Sequence, residues 1–320
     1  MTRFERATAI GALVLAAAVP LFFQDYFLRV AATALYFVVL ASSWNLLVGY
    51  TGQLSLAHAA FAAIGAYTAG LLHRYTGLNP IAGVLAGGLM ATAVGFFLGR
   101  MCLRLRGPYF ALMTLGFSEI LRLVLQIEYK FTRGSLGLQL PYLYGADSVD
   151  HRLGYYTMLG LAVIVLVVLH RIVNSEAGLY LKAIREDEDA AAAMGVDVVK
   201  WKVNAFVISG LFAGLAGGVY AHLFVNVIAP QMLLLSEMGL ILAMTIVGGL
   251  GTLTGPVLGA VVLVFLQEEL RGISPHAHLL LFTILVILVM KFYRRGLFGL
   301  VGDALKKRGW LAKTPPITAE

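Results

Sequence analysis

Charge is scarce in this sequence. Asp, Glu, Lys and Arg together make up 13% of its 320 residues, about half the share of an ordinary soluble domain. Cysteine is scarcer still: Cys102 stands alone, which excludes an internal disulfide and leaves the redox compartment open. No Gly-Lys dipeptide occurs, so there is no Walker A phosphate loop. The seven histidines (His58, His73, His151, His170, His222, His276 and His278) lack the spacing of a metal site. His276 and His278 flank Ala277 at a loop, where solvation accounts for them. These patterns define no catalytic residue and no metal site. If ATP drives this chain, another chain hydrolyses it. The net charge of +7 sits in short loops and the C-terminal tail, where it sets membrane topology rather than marking nucleic-acid contact.

What the sequence has in abundance is apolar length. Hydrophobic residues make up 60% of the chain, in ten runs at about 7–23, 30–48, 54–72, 80–99, 108–127, 153–170, 203–225, 238–248, 255–269 and 277–291. Several are long enough to cross a ~30 Å hydrocarbon core, which takes about 20 residues. They are apolar all round, unlike the alternating strands of a barrel. Thirty-five glycines suit close packing between membrane helices. The expected fold is all-α: a polytopic helical membrane protein of about ten passes, some broken by glycine. Residues 1–300 form one transmembrane domain and 301–320 a cytoplasmic tail.

The first run follows Arg3 and Arg6 and contains Ala16, Ala17 and Ala18, the outline of a signal peptide. A second apolar run follows Pro20 at once, so the reading is an uncleaved first span. The positive-inside rule then places both termini in the cytoplasm, together with Arg100, Arg104, Arg106 and the 171–202 loop. The 226–237 loop contains no Lys or Arg and falls outside. One long helix over 238–269 would carry the basic tail outside. The glycines at 248, 249, 251 and 255 argue instead for two short passes.

A short repeat supports that break. VGYTGQLS at 48–55 and VGGLGTLT at 247–254 share V-G-x-x-G-x-L-[ST], and each precedes a Gly-Ala pair, Gly65-Ala66 and Gly259-Ala260. Matching Gly-interrupted segments in two halves point to a transport pathway; chance in a Gly-rich chain is the plain alternative. Around the first copy cluster Asn45, Thr51, Gln53, Ser55 and His58. Polar groups at membrane depth face a cavity or another helix, so these residues either line a translocation path or bond helices together. Glu119 and Arg122, three apart in the fifth run, are placed to form an ion pair. Proton coupling through Glu119 is the sharper alternative. In the external 128–152 loop, Thr132, Arg133, Gly134 and Gly137 fit either an ordinary turn or a gate or contact for an external partner.

Between the spans lies a polar island. Arg185, Glu186, Asp187, Glu188 and Asp189 are consecutive, four alanines follow, and Gly195 closes the segment. It reads as one short helix with acids near its positive end and glycine as its stop. With little to bury against in its own chain, it is expected to receive a partner from outside.

Several of these segments, in order, resemble one family. NLLVGYTGQLSLAH at 45–58, GPYFALMTL at 107–115, the 132–138 loop, the 183–195 island, 247–256 and GLFGL at 296–300 resemble branched-chain amino acid ABC permeases of the LivM type. The resemblance covers about residues 30–300. It departs at Arg133, where the family usually has a second glycine. The resemblance implies a bacterial inner-membrane importer with a second permease subunit, two cytoplasmic ATPases carrying the ATP and Mg, and a periplasmic substrate-binding protein. This chain itself would hold no cofactor. The island would dock on an ATPase through Arg185, Glu186, Asp187, Glu188, Ala190, Ala191 and Gly195. The substrate would be branched-chain or related apolar amino acids; urea, amides and aromatic acids are family alternatives. From outside the family, a proton-coupled carrier acting alone or a passive channel competes.

Overall fold

A computed structural model describes residues 3–102, 105, 107–144, 151–225, 227–273, 283–284 and 286–287. Among these, the chain runs through α1 (Arg3–Phe22), α2 (Asp25–Thr51), α3 (His58–Thr76), α4 (Pro80–Cys102) and α5 (Pro108–Ile127). A single turn, α6 (Tyr129–Thr132), precedes α7 (His151–Val173). Then come α8 (Glu176–Glu186), α9 (Glu188–Ala193), α10 (Val198–Tyr220), α11 (Leu235–Gly248) and α12 (Gly255–Ile273). Two short strands, β1 (Leu138–Gln139) and β2 (Val227–Ile228), pair antiparallel, Leu138 opposite Ile228. The fold is all-α, and this ribbon is the one exception among the described residues.

Nine of the ten hydrophobic runs correspond to helices. Among the described residues, five helices are long and apolar enough to cross a membrane: Asp25–Thr51, Pro80–Met101, Pro108–Ile127, His151–Val173 and Val198–Val225. α11, with 14 residues, is about 21 Å long at 1.5 Å per residue, too short to cross by itself. The count of ten full passes is therefore not established, and the 277–291 run lies largely outside the described residues. The 238–269 region is two helices. Met244 on α11 lies against Gly259 on α12, and Gly248 lies against Gly255, so the two pack as an antiparallel hairpin.

The helix ends follow from local sequence. Pro80 and Pro108 occupy first-turn positions, where the missing N–H costs nothing. α2 ends at Gly52, which takes a left-handed φ of 73° that glycine adopts without strain. α2 is the central post: Leu28, Leu40, Trp44, Leu46 and Leu47 are all buried to within 1%, and α7, α10, α11 and α12 pack around it. A second core forms where α3, α4 and α10 cross. There Gly65 backs onto the Gly214 carbonyl and Gly87 onto the Gly65 carbonyl, each closer than a Cβ permits. Without apolar solvent to expel, membrane helices gain stability from such close backbone contact.

Gly65→Val places its Cβ where the Gly214 carbonyl oxygen stands, 1.9 Å away. The crossing must open, at a cost of about 3 kcal/mol. The purified variant is expected to lose its thermal transition by many degrees. Gly160→Ala, with nothing within 4 Å of the added Cβ, is expected to melt as the parent does.

Candidate functional site

The polar island is two helices, not one. Asp187 takes an extended conformation, φ −155° and ψ 112°, and ends α8. Its carboxylate then caps α9, accepting the Asp189 N–H at 3.0 Å and the Ala190 N–H at 2.9 Å. Side-chain capping of this kind competes with continued helix and wins where aspartate precedes a fresh alanine run. Arg185 and Glu186 thus belong to the end of α8, whereas Glu188, Ala190 and Ala191 belong to α9. Gly195, at φ 85°, terminates the segment with two C-cap bonds: Gly195 N–H to Ala192 at 3.0 Å and Val196 N–H to Ala191 at 3.1 Å.

The island also has a core of its own, contrary to the expectation that it had little to bury against. Ile184, Ala191 and Val198 are buried together, with Val196 and Trp201 against them. The Tyr180 ring stacks on Trp201 at 5.2 Å. Lys202 is 8% exposed and donates to Glu188 at 2.6 Å, tying α10 to α9. The opposite face is open: Glu186, Asp187 and Ala190 are exposed, and Met194 is 85% exposed.

Beneath the island lie the two copies of the repeat, side by side. Asn45, 1% exposed, spans them. Its Nδ2 donates to the Thr252 carbonyl at 2.8 Å, and its Oδ1 accepts the Gly251 N–H at 2.9 Å. A Cβ on Gly49 would come within 2.8 Å of the Gly251 nitrogen, so only glycine lets the breaks meet. Arg185 reaches down from α8, and its Nη1 donates to the Gly49 carbonyl. Its stem lies over Gly52, and its guanidinium lies against Gly251. One side chain of the island therefore touches both breaks.

The first break is closed by side chains. Thr51 Oγ1 donates to the Leu47 carbonyl at 2.6 Å and lies 3.3 Å from Gln53 Oε1. Trp44 donates to the Ser55 carbonyl at 2.7 Å, and Ser55 Oγ accepts the Ala57 N–H at 3.3 Å. From α5, Thr114 Oγ1 accepts the Leu56 N–H at 2.9 Å and Ser118 donates to the Leu56 carbonyl at 3.0 Å. His58 is deeper, with Nε2 at 2.5 Å from Ser209 Oγ, which donates to the Ser43 carbonyl at 2.7 Å. A cavity of about 200 Å³ separates island from break, lined by Thr51, Gln53, Arg185, Glu188 and Lys202 among others. It joins two residue groups that sequence reasoning kept apart. Lys202 ends the 171–202 loop, where a lysine signals only topology, and its pairing with Glu188 carries no local signal.

The remaining candidates lie elsewhere. Thr132 Oγ1 donates to the Leu125 carbonyl at 2.7 Å and accepts the Gly134 N–H at 3.2 Å. Arg133 holds a left-handed φ of 60°, the only non-glycine to do so among the described residues. Gly137 sits where a Cβ would meet the Ile228 carbonyl at 2.6 Å, so it seats β1 against β2. This loop is at the end of the bundle opposite the island. Glu119 and Arg122 do form an ion pair, with Nε at 2.9 Å and 3.1 Å from the carboxylate oxygens.

Five described helices long and apolar enough to cross a membrane, with an exposed polar island at one end, define a multi-pass membrane protein. Residues 26–290 match the family model for the branched-chain amino acid transport system permease component, and the chain belongs to that family. It is 33% identical to the high-affinity branched-chain amino acid transport system permease protein LivM of Escherichia coli (strain K12), over 97% of this chain and 78% of that one. The corresponding Salmonella typhimurium protein is 32% identical over the same shares. A probable branched-chain amino acid transport permease LivM of Methanocaldococcus jannaschii is 25% identical over 73% of this chain and 77% of its own. No solved structure matches. The chain is accordingly a permease subunit of an ABC importer.

Asn45→Ala strips partners from the Gly251 amide and the Thr252 carbonyl. At about 1–2 kcal/mol for each unsatisfied group, the variant is expected to be some 2–4 kcal/mol less stable. Hydrogen exchange at the 249–254 backbone is expected to accelerate at least tenfold. An unchanged exchange rate there contradicts the bridging role.

Proposed function

We propose that this chain forms the translocation path of an ATP-driven importer for branched-chain or similar apolar amino acids, in a bacterial inner membrane with both termini cytoplasmic. The observation that carries the coupling part is Arg185, which belongs to the exposed island and bonds the Gly49 carbonyl of the first break. A partner that shifts α8 and α9 pulls on the point where both broken helices meet. The chain has no phosphate loop, so ATP and Mg belong to two separate cytoplasmic ATPases that dock on the open face around Glu186, Ala190 and Met194. A second permease completes the path, and a periplasmic binding protein delivers substrate to the end bearing Thr132, Arg133, Gly134 and Gly137. Asn45, Thr51, Gln53, Ser55 and His58 form the inner gate of the translocation path, with Thr51 and Gln53 bordering the cavity beneath the island. Nucleotide binding biases the gate between two arrangements through its differential contacts with the island.

The carrier reading draws no support from Glu119, whose carboxylate is engaged by Arg122. Family membership leaves urea, amides and aromatic acids as alternative substrates, which uptake assays with the native binding protein decide.

In the reconstituted complex, Arg185→Ala is expected to lower uptake at least tenfold while ATP hydrolysis stays within twofold. Gly195→Pro is expected to uncouple likewise, since proline holds φ near −65° and this site needs 85°. Capture of ligand by the binding protein is unaffected in both. Normal transport by either variant in an intact complex contradicts the coupling role.

A further inference from the structure

Of the five helices able to cross a membrane, α5 is the least covered by its own chain. Only 22% of its apolar stretch is buried, against 83% for α2. One face attaches it: Thr114 and Ser118 bond the Leu56 amide and carbonyl, so α5 holds the first break. The opposite face is bare. Tyr109, Leu112, Gly116, Glu119, Leu123 and Gln126 follow there at steps of three and four, which align on one side of a helix. Tyr109, Leu112 and Leu123 are exposed, as are Glu119 and Gln126. A Cβ on Gly116 would meet nothing within 4 Å.

A bare apolar face needs only lipid, but this one carries charge at membrane depth. On the five helices, Glu119 and Arg122 are the charges that lie mid-helix; the other Asp, Glu, Lys and Arg sit near an end. α5 has 20 residues, about 30 Å at 1.5 Å per residue, which matches the hydrocarbon core. Glu119 is thus near the middle of that core. Arg122 donates through Nε to both Glu119 oxygens, at 2.9 Å and 3.1 Å, and through Nη1 to Gln126 Oε1 at 3.1 Å. This neutralises the pair without hiding it, because the Glu119 side chain is 49% exposed. Charged groups within spans face other helices or water, since lipid leaves them unsolvated. The bare faces of α4 and α7 are different. Leu85, Leu89 and Phe97 on α4 and Ile164 and Val167 on α7 are exposed and apolar, which suits lipid.

The order of residues on this face decides between water and protein. A water-filled path is polar along its length, whereas here Leu112 and Leu123 bracket Glu119 on either side. Gly116, one turn from Glu119, admits a second backbone closely. A small residue for close approach and a polar group to bond across are what membrane helices use to pack on one another. A polar residue within an apolar seam also fixes the register of the contact. We propose that this face of α5 is the contact with the second permease subunit, whose helix covers Glu119, Arg122 and Gln126. The oxygens of Glu119 left open by Arg122 accept hydrogen bonds from that helix. The proposal rests on the importer reading above and adds to it the surface on which the two permeases meet. Because the other face of α5 holds Leu56, the first break lies one helix away from the partner.

The test uses the complete complex in its native membrane, with the photo-crosslinking residue benzoylphenylalanine placed at one position at a time. Leu112 and Leu123 probe the proposed face; Leu89 on α4 and Ile164 on α7 probe the apolar faces. The tagged wild-type chain is purified first in mild detergent. Recovery without a second permease overturns the importer reading and this contact with it. Given that recovery, irradiation is expected to join the chain to the second permease from Leu112 and Leu123, with at least fivefold lower yield from Leu89 and Ile164. The crosslinked partner is identified by mass spectrometry. No crosslink from either α5 position, in complexes that retain the second permease, overturns the contact. So does an equal or higher yield from α4 or α7.

Discussion

A helix cannot stop inside a membrane without leaving backbone N–H and C=O groups to satisfy, and lipid offers them no partner. This constraint governs the protein. The chain breaks at 52–57 and again at 249–254, and the two breaks answer each other. Asn45 serves the amide of Gly251 and the carbonyl of Thr252, while Arg185 serves the carbonyl of Gly49. Glycine at 49 lets the backbones approach until one amide side chain can bridge them. The breaks are therefore joined parts of one element, and the charged segment outside the spans is part of it.

α2 connects this junction to the opposite end of the bundle. Tyr36 and Asn45 are nine residues apart, about 13 Å along the helix axis at 1.5 Å per residue. One rigid rod thus carries the inner junction and the aromatic face packed on Tyr220. The small-residue crossing of α3, α4 and α10 keeps that rod's neighbours at fixed distance, since backbone already touches backbone at Gly65 and Gly214. Movement has to come where packing is looser and polar, in the cavity of about 200 Å³ between island and break.

Much of this was legible in the residues. The V-G-x-x-G-x-L-[ST] repeat located both breaks, because positive-φ glycines such as Gly52 and Gly251 leave their mark in the sequence. Their contact was not legible: Asn45 and Gly251 are 206 residues apart, and no local pattern encodes such a meeting. The island was located, but its form was misread. Counting its alanines favours one helix, whereas Asp187 spends its carboxylate on capping a second. The cue, an aspartate before alanines, was present and was outweighed by propensity. Lys202 looked like a loop charge and is buried against Glu188, because burial of a long side chain depends on what the fold brings near. The two-residue strands were too short to show a period.

The central claim is that Arg185 makes the island and both breaks move as one body. Spin labels at Met194, on the open face of α9, and at Leu250, in the second break, measure this directly, with Cys102 replaced and a third label at Val227 on β2. Met194, Leu250 and Val227 are 85%, 39% and 44% exposed, so each tolerates a label. On nucleotide binding to the assembled complex, the account predicts that the Met194–Leu250 distance holds while both shift relative to Val227. It also predicts that Arg185→Ala releases the first distance. An island that moves on nucleotide binding while Leu250 stays fixed relative to Val227, in the presence of Arg185, would contradict it.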